Sequence, residues 1–144
     1  MASVQFQTAV FGGGCFWCGE AVLQRLKGVQ SVTSGYAGGS MENPSYQQVS
    51  SGHSGHVEVI KIEYDPAVLS YDTLLSVFFA THDPTTTNRQ GSDIGPQYRS
   101  AIFYTSEEQK TETEKFMQKL ADDEVFKDPI VTELKPLDNF YQAE

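Results

Sequence analysis

Cysteine, histidine, basic charge and long apolar runs are all scarce in this chain, and each scarcity excludes something. Two cysteines in 144 residues cannot supply the disulfide framework that staples small secreted domains. No apolar stretch approaches the roughly 20 residues a membrane helix needs. The first residues, Met1 to Gln7, lack the basic-then-apolar layout of a signal peptide. A cytoplasmic protein with no membrane association is therefore the expectation. Ten Lys and Arg face 19 Asp and Glu, for a net charge of −9. The imbalance lies wholly in residues 58–144, with eight basic and seventeen acidic side chains, while residues 1–57 carry two of each. Such a surface repels a phosphate backbone, which argues against nucleic-acid binding. The acidic half reads as a solvated face. Internal repeats, linkers and low-complexity tracts are also missing. What remains is one domain over residues 1–144, long enough to bury a core without staples.

The apolar pattern divides that domain into alternating elements. Val4 to Phe11 reads as a strand running into Gly12-Gly13-Gly14. A helix is expected to begin near Cys15, to turn Ala21, Val22 and Leu26 inward, and to stop at Gly28. Val29 to Tyr36 reads as a second strand, and Ala37 to Gly55, rich in glycine and serine, as a long loop. Val57 to Tyr64 alternates most clearly and places Glu58, Ile60, Ile62 and Tyr64 on one face. Leu74 with Phe78 and Leu75 with Phe79 give a helix over about Tyr71 to Ala80. A polar loop from His82 to Gln97 precedes a strand from Tyr98 to Tyr104. Ser106 and Gln109 form a capping box for a helix to about Ala121, with Phe116 and Leu120 inward. A last strand is expected near Ile130 to Lys135. This order suggests a mixed sheet with helices packed against it.

Cys15 stands where a glycine-rich strand end opens a helix. Unpaired backbone N–H groups there favour an anion, and hence a thiolate. A buried, inert cysteine is the plainer alternative. Cys18, three residues on, shares a helix face with Cys15 and can close a disulfide once one sulfur is oxidised. Zinc sites use the same spacing, and His53 with His56 could complete a Cys2His2 set, although their gap is short for one. Phe16 and Trp17 between the cysteines can wall a methyl or thioether, or simply fill core. Glu58 shares its strand face with isoleucines and a tyrosine. Desolvation there would raise its pKa and leave it protonated, as a general acid requires; a solvated strand-end carboxylate is the alternative.

Together these residues resemble a known family. Gly14-Cys15-Phe16-Trp17 followed by Glu20 is similar to the active-site motif of the A-type peptide methionine sulfoxide reductases. Further blocks match in family order across nearly the whole chain. They include Ser34 to Gly39, Asn43 to Tyr46, Ser51 to Glu58, Tyr64-Asp65-Pro66, His82-Asp83-Pro84, Gln90 to Ser100 and Phe140 to Glu144. The resemblance implies an α+β fold, a two-layer α/β sandwich with a mixed sheet and a ferredoxin-like core. It implies reduction of the S epimer of methionine sulfoxide, free or in oxidised proteins and peptides. Cys15 would be the nucleophile and Glu58 the acid. Tyr46, Asp93 and Tyr98 would complete the polar pocket, and Phe16 and Trp17 would hold the substrate methyl. Cys15 would emerge as a sulfenic acid that a second thiol must clear. Cys18 is the candidate within this chain, where many relatives have glycine and resolve through a C-terminal tail that is expected to be absent here. No bound cofactor or metal is implied, and thioredoxin or another dithiol would be the reductant. A thioredoxin-like disulfide oxidoreductase would suit the Cys-x-x-Cys pair but leaves Glu58 and the Gln90 to Ser100 block without a role.

Overall fold

The clearest alternation in the sequence becomes the middle of the sheet. A computed structural model describes residues 6–13, 23–39, 49, 55–82, 84–90 and 93–142. In chain order its elements are strands β1 (Gln7–Gly12), β2 (Val29–Ala37) and β3 (Val57–Tyr64), helix α1 (Tyr71–Thr81), short strands β4 (Arg89–Gln90) and β5 (Asp93–Ile94), a 3-10 turn (Pro96–Tyr98), strand β6 (Ala101–Tyr104), helix α2 (Glu107–Asp122), and strands β7 (Glu133–Pro136) and β8 (Phe140–Gln142). Six strands form one sheet in the order β7-β6-β1-β3-β2-β8, and β4 pairs with β5 in a small second sheet. Neighbours in the large sheet are antiparallel except β6 and β7, which are parallel. The architecture is α+β with a mixed sheet.

Strand alternation sorts the core into two clusters. One face carries Ala9, Phe11, Tyr36, Ile60, Ile62, Tyr64 and Ile102, covered by Tyr71, Leu74, Leu75, Phe78 and Phe79 of α1. Phe116, Met117 and Leu120 of α2 pack against the same cluster. The opposite face buries Val10, Ala37, Val57, Val59, Ala101 and Phe103 beneath Leu137 and Phe140. Burying a Leu or Phe side chain stabilises by about 1.5–3 kcal/mol, so the α1 layer anchors this sheet.

Both helices start where their caps predict. Ser70 Oγ accepts from Thr73 N–H, and Ser106 Oγ from Gln109 N–H, each at 3.2 Å. The Gln109 side chain does not close the expected box on Ser106. Its Oε1 accepts from Thr105 N–H at 2.9 Å, and its Nε2 donates to the Thr8 carbonyl at 2.7 Å, so a capping residue also ties α2 to β1. Gly28 has φ +99°, and a Cβ there would meet Leu69 Cβ at 2.7 Å. Conformation and space both demand glycine at this turn.

Several expectations are corrected. Tyr98 lies in the 3-10 turn rather than a strand, because its N–H donates to the Gly95 carbonyl at 3.0 Å, and β6 begins only at Ala101. The polar loop from His82 to Gln97 contains the β4–β5 pair. The last predicted strand starts at Glu133, since Val131 N–H is taken by the Pro84 carbonyl at 2.8 Å. Strand β8 was not expected: it has three residues, too few for a periodicity, and is defined by pairing with Gly35–Ala37. Within the segment read as a loop, Val49 is helical and buried in the core. The helix expected from Cys15 falls mostly outside the described residues; Leu23, near its end, is buried and Leu26 packs on the core.

Candidate functional site

The site follows from register. Phe11 pairs with Ile60 and with Ile102, and Gly12 with Ala101. Continuing both ladders past Phe11 brings Gly13 level with Glu58 on one side and Ser100 on the other. Glu58 pairs directly with Tyr36, and Tyr36 with Tyr141. Directly paired residues share a face. On that extended register one cross-strand row runs Tyr141, Tyr36, Glu58, Gly13, Ser100, on the same face as the apolar cluster, to which Tyr36 itself belongs.

Glu58 is 2% exposed, and Tyr36, Ser100 and His56 are also buried. His56, which precedes β3, accepts through Nδ1 from Gly39 N–H at 3.1 Å and meets Tyr141 edge-on at 5.6 Å between ring centroids. A carboxyl group thus sits away from water, on the strand next to the end of β1 from which Gly13 leads toward Cys15. Asp93 and Tyr98 lie in the segment that leads past Ser100 into β6. Asp93 lies in β5, with its side chain outside the description, and Tyr98 is half-buried in the 3-10 turn. Arg99 clips that segment in place: Nη2 donates to the Gly55 carbonyl at 3.1 Å, and Nε pairs with Glu133 Oε2 at 3.1 Å.

Of the site residues read from the sequence, Glu58 and Tyr98 are described fully and Asp93 by its backbone. Cys15, Phe16, Trp17, Cys18, Tyr46 and the possible zinc ligand His53 lie outside the described residues. Among the described residues no three His, Cys, Asp or Glu side chains gather as a metal site. Also among them, no helix is long and apolar enough to cross a membrane. Sequence reasoning assigned nothing to Tyr36, Ser100 or His82, which the fold brings to this row. Their visible signal was membership of the blocks Ser34 to Gly39, Gln90 to Ser100 and His82-Asp83-Pro84.

The tyrosines at the other end of the face behave as core. Burial pushes the hydroxyls of Tyr64 and Tyr71 upward in pKa, Tyr71 the more strongly. Both stay un-ionised near neutrality, Tyr64 donating to Gln7 Oε1 at 3.0 Å.

Comparison with known proteins meets this geometry. A family model described as "Peptide methionine sulfoxide reductase" matches residues 7–144. The peptide methionine sulfoxide reductase MsrA of Acinetobacter baumannii is 56% identical over 138 residues, covering 96% of this chain and 78% of that protein. Mxr1 from Saccharomyces cerevisiae in reduced form superposes with a TM-score of 0.90 at 32% identity, over 97% of this chain and 81% of that chain. Methionine sulfoxide reductase A of Corynebacterium diphtheriae superposes with a TM-score of 0.84 at 33% identity, over 96% and 70%. Mxr1 has also been solved in complex with Trx2, where it shares this fold at a TM-score of 0.71.

Proposed function

The chain belongs to the peptide methionine sulfoxide reductase family, and from that premise we propose that it reduces the S epimer of methionine sulfoxide, free or in oxidised proteins, with Cys15 as nucleophile and Glu58 as acid. The observation that carries the division of roles is the burial of Glu58 on β3, two residues before the Ile60 that pairs with Phe11 near the end of β1. Taking a carboxyl group out of water disfavours its charged form. The acid role proposed for Glu58 rests on this burial.

The step balances without a bound cofactor. The Cys15 thiolate sulfur attacks the sulfoxide sulfur and forms an S–S bond while the oxygen takes a proton from Glu58. The protonated oxygen then passes to the Cys15 sulfur as the S–S and S–O bonds to the methionine sulfur break, leaving a sulfenic acid and releasing methionine. Methionine sulfur is reduced by two electrons and Cys15 is oxidised by two. Tyr46, Asp93 and Tyr98 line the polar side of the pocket, and Phe16 and Trp17 hold the methyl group against an apolar wall. Cys18 then condenses with the sulfenic acid, releasing water and leaving a Cys15–Cys18 disulfide. A thioredoxin-type dithiol reduces that bond, a partner class supported by the Trx2 complex of Mxr1. The cytoplasm, where such dithiols are kept reduced, is the compartment this cycle fits.

Residues 1–144 are read as one catalytic domain, a two-layer α/β sandwich with a ferredoxin-like core. Its support is the strand order β6-β1-β3-β2 with antiparallel neighbours, and α1 crossing from β3 toward β6.

The test is a product assay on the separated R and S sulfoxides of a blocked methionine. The wild-type chain should consume S and leave R, and Cys15→Ser should release no methionine. Equal consumption of both epimers, or activity surviving in Cys15→Ser, overturns the reading. Cys18→Ser should retain one turnover and lose dithiol-driven cycling; cycling at the wild-type rate removes Cys18 as the resolving thiol.

A further inference from the structure

Gly13 is hemmed in by His82. A Cβ at Gly13 would lie 2.9 Å from His82 Cδ2, 3.0 Å from its Cγ and 3.0 Å from Phe78 Cε1. The imidazole is thus packed on the backbone two residues before Cys15, and only glycine leaves room for it. The ring itself is held from several directions. α1 ends at His82 with extended backbone, φ −145° and ψ 168°, which lets the side chain fold back over the helix. Phe78 lies against it at 3.9 Å between centroids, with 32° between planes. Nδ1 bonds to the Phe78 carbonyl, and Nε2 lies 2.8 Å from Ser100 Oγ, itself 2.7 Å from Thr132 Oγ1.

The partners set the tautomer. A carbonyl only accepts, so Nδ1 carries a proton and donates it. In the neutral ring Nε2 then accepts from the Ser100 hydroxyl, which accepts in turn from Thr132. A chain of directed bonds therefore runs from the segment before β7, through the residue that precedes β6, to the ring beneath Gly13.

Resting on the reading of Cys15 as nucleophile, we propose that His82 is a positioning residue for the sulfoxide step. Its ring is the floor under the strand end that leads to Cys15, and Ser100 couples that floor to the segment carrying Asp93 and Tyr98. A misplacement of about 1 Å can cost about 10²-fold in rate without touching the substrate. The ring and its hydrogen bonds together are suited to prevent one.

Three variants test this, each with kcat and KM for the S sulfoxide under a chemical dithiol and with a thermal melt. His82→Phe keeps the flat ring and removes both bonds; Ser100→Ala and Thr132→Val cut the chain further out. His82→Phe should lower kcat by about 10- to 100-fold while KM stays within about threefold, since no substrate contact is lost. Ser100→Ala should move kcat the same way by less, with a near-wild-type melt. Wild-type kcat in folded His82→Phe and in Ser100→Ala overturns the proposal, as does a loss confined to KM. Should His82→Phe fail to fold, Ser100→Ala and Thr132→Val decide alone: wild-type kcat in both overturns it, and a lowered kcat at unchanged melt supports it. Cys15→Ser separates the two readings: activity retained there defeats the nucleophile and with it the floor, whereas activity lost there beside wild-type kcat in His82→Phe and Ser100→Ala defeats the floor alone.

Discussion

Phe11, Ile60 and Ile102 stand side by side on the face beneath α1, buried and apolar. Two residues further along the same strands, the row holds Gly13, Glu58 and Ser100. The first row is paired within the ladders, whereas Gly13 and Ser100 of the second stand just outside β1 and β6, and the side chains differ. The apolar row offers nothing to a reacting group but fixes the strands. The polar row takes its geometry from that fixed frame and spends little on holding the fold together. A substitution in the first row should therefore cost stability, and one in the second should cost rate.

The sharpest way to break the contrast is Glu58→Gln, which keeps shape and removes the acid. Single-turnover sulfoxide reduction should slow by about 10²–10⁴-fold, the usual worth of a positioned general acid, with the melting temperature close to wild type. An undiminished rate would sink the acid role, and a collapsed melt would merge the two rows into one. Phe11→Ala is the reciprocal change. It should cost about 3–5 kcal/mol in a urea titration, while activity per folded molecule is retained; a rate loss out of proportion to unfolding would show the apolar row acting in the chemistry. Away from both rows, Ser106→Ala removes the N-cap of α2 and should cost about 1 kcal/mol. No change in stability would mean that Gln109 alone holds that helix end.

The smallest effect concerns the acidic half of the chain. Burial, and then the neighbouring carboxyls of Asp72 and Glu108, push the Glu112 carboxyl above its ordinary pKa, with Lys115 opposing. An acid raised in the folded state holds its proton more tightly there than in the unfolded chain. The resulting penalty is absent below the unfolded pKa, grows as pH rises through the gap between the two values, and is complete above the folded one. Glu112→Gln should therefore stabilise at pH 7 by no more than about 0.5 kcal/mol, given its solvent exposure, and the gain should vanish in acid. A gain that persists at low pH would point to packing rather than charge.

Legibility followed the range of the interactions. β3 was read residue for residue because its alternation is local, α1 from apolar spacing, and α2 from apolar spacing and its Ser106 cap. Tyr98 was misplaced because a turn closed by Gly95 overrode a strand-like run of apolar residues. β8 escaped because three residues carry no period and take their identity from Gly35–Ala37. The candidate site was half legible. Glu58 could be placed on an apolar face from alternation alone, yet nothing in its neighbourhood named Gly13 or Tyr36 as its row.

The sequence by itself determined β3, the two helices α1 and α2, the glycine-rich approach to Cys15 and the face on which Glu58 lies. Each of these depends on residues within a few positions of one another. The family, too, is written in its motifs. Only the tertiary structure decided that Glu58 stands level with Gly13, and that His82 folds over that glycine and bonds to Ser100. Only there does Gln109 leave its own cap to hold β1. Those contacts join residues far apart in the chain, and cross-strand register and helix docking, which no local pattern encodes, bring them together.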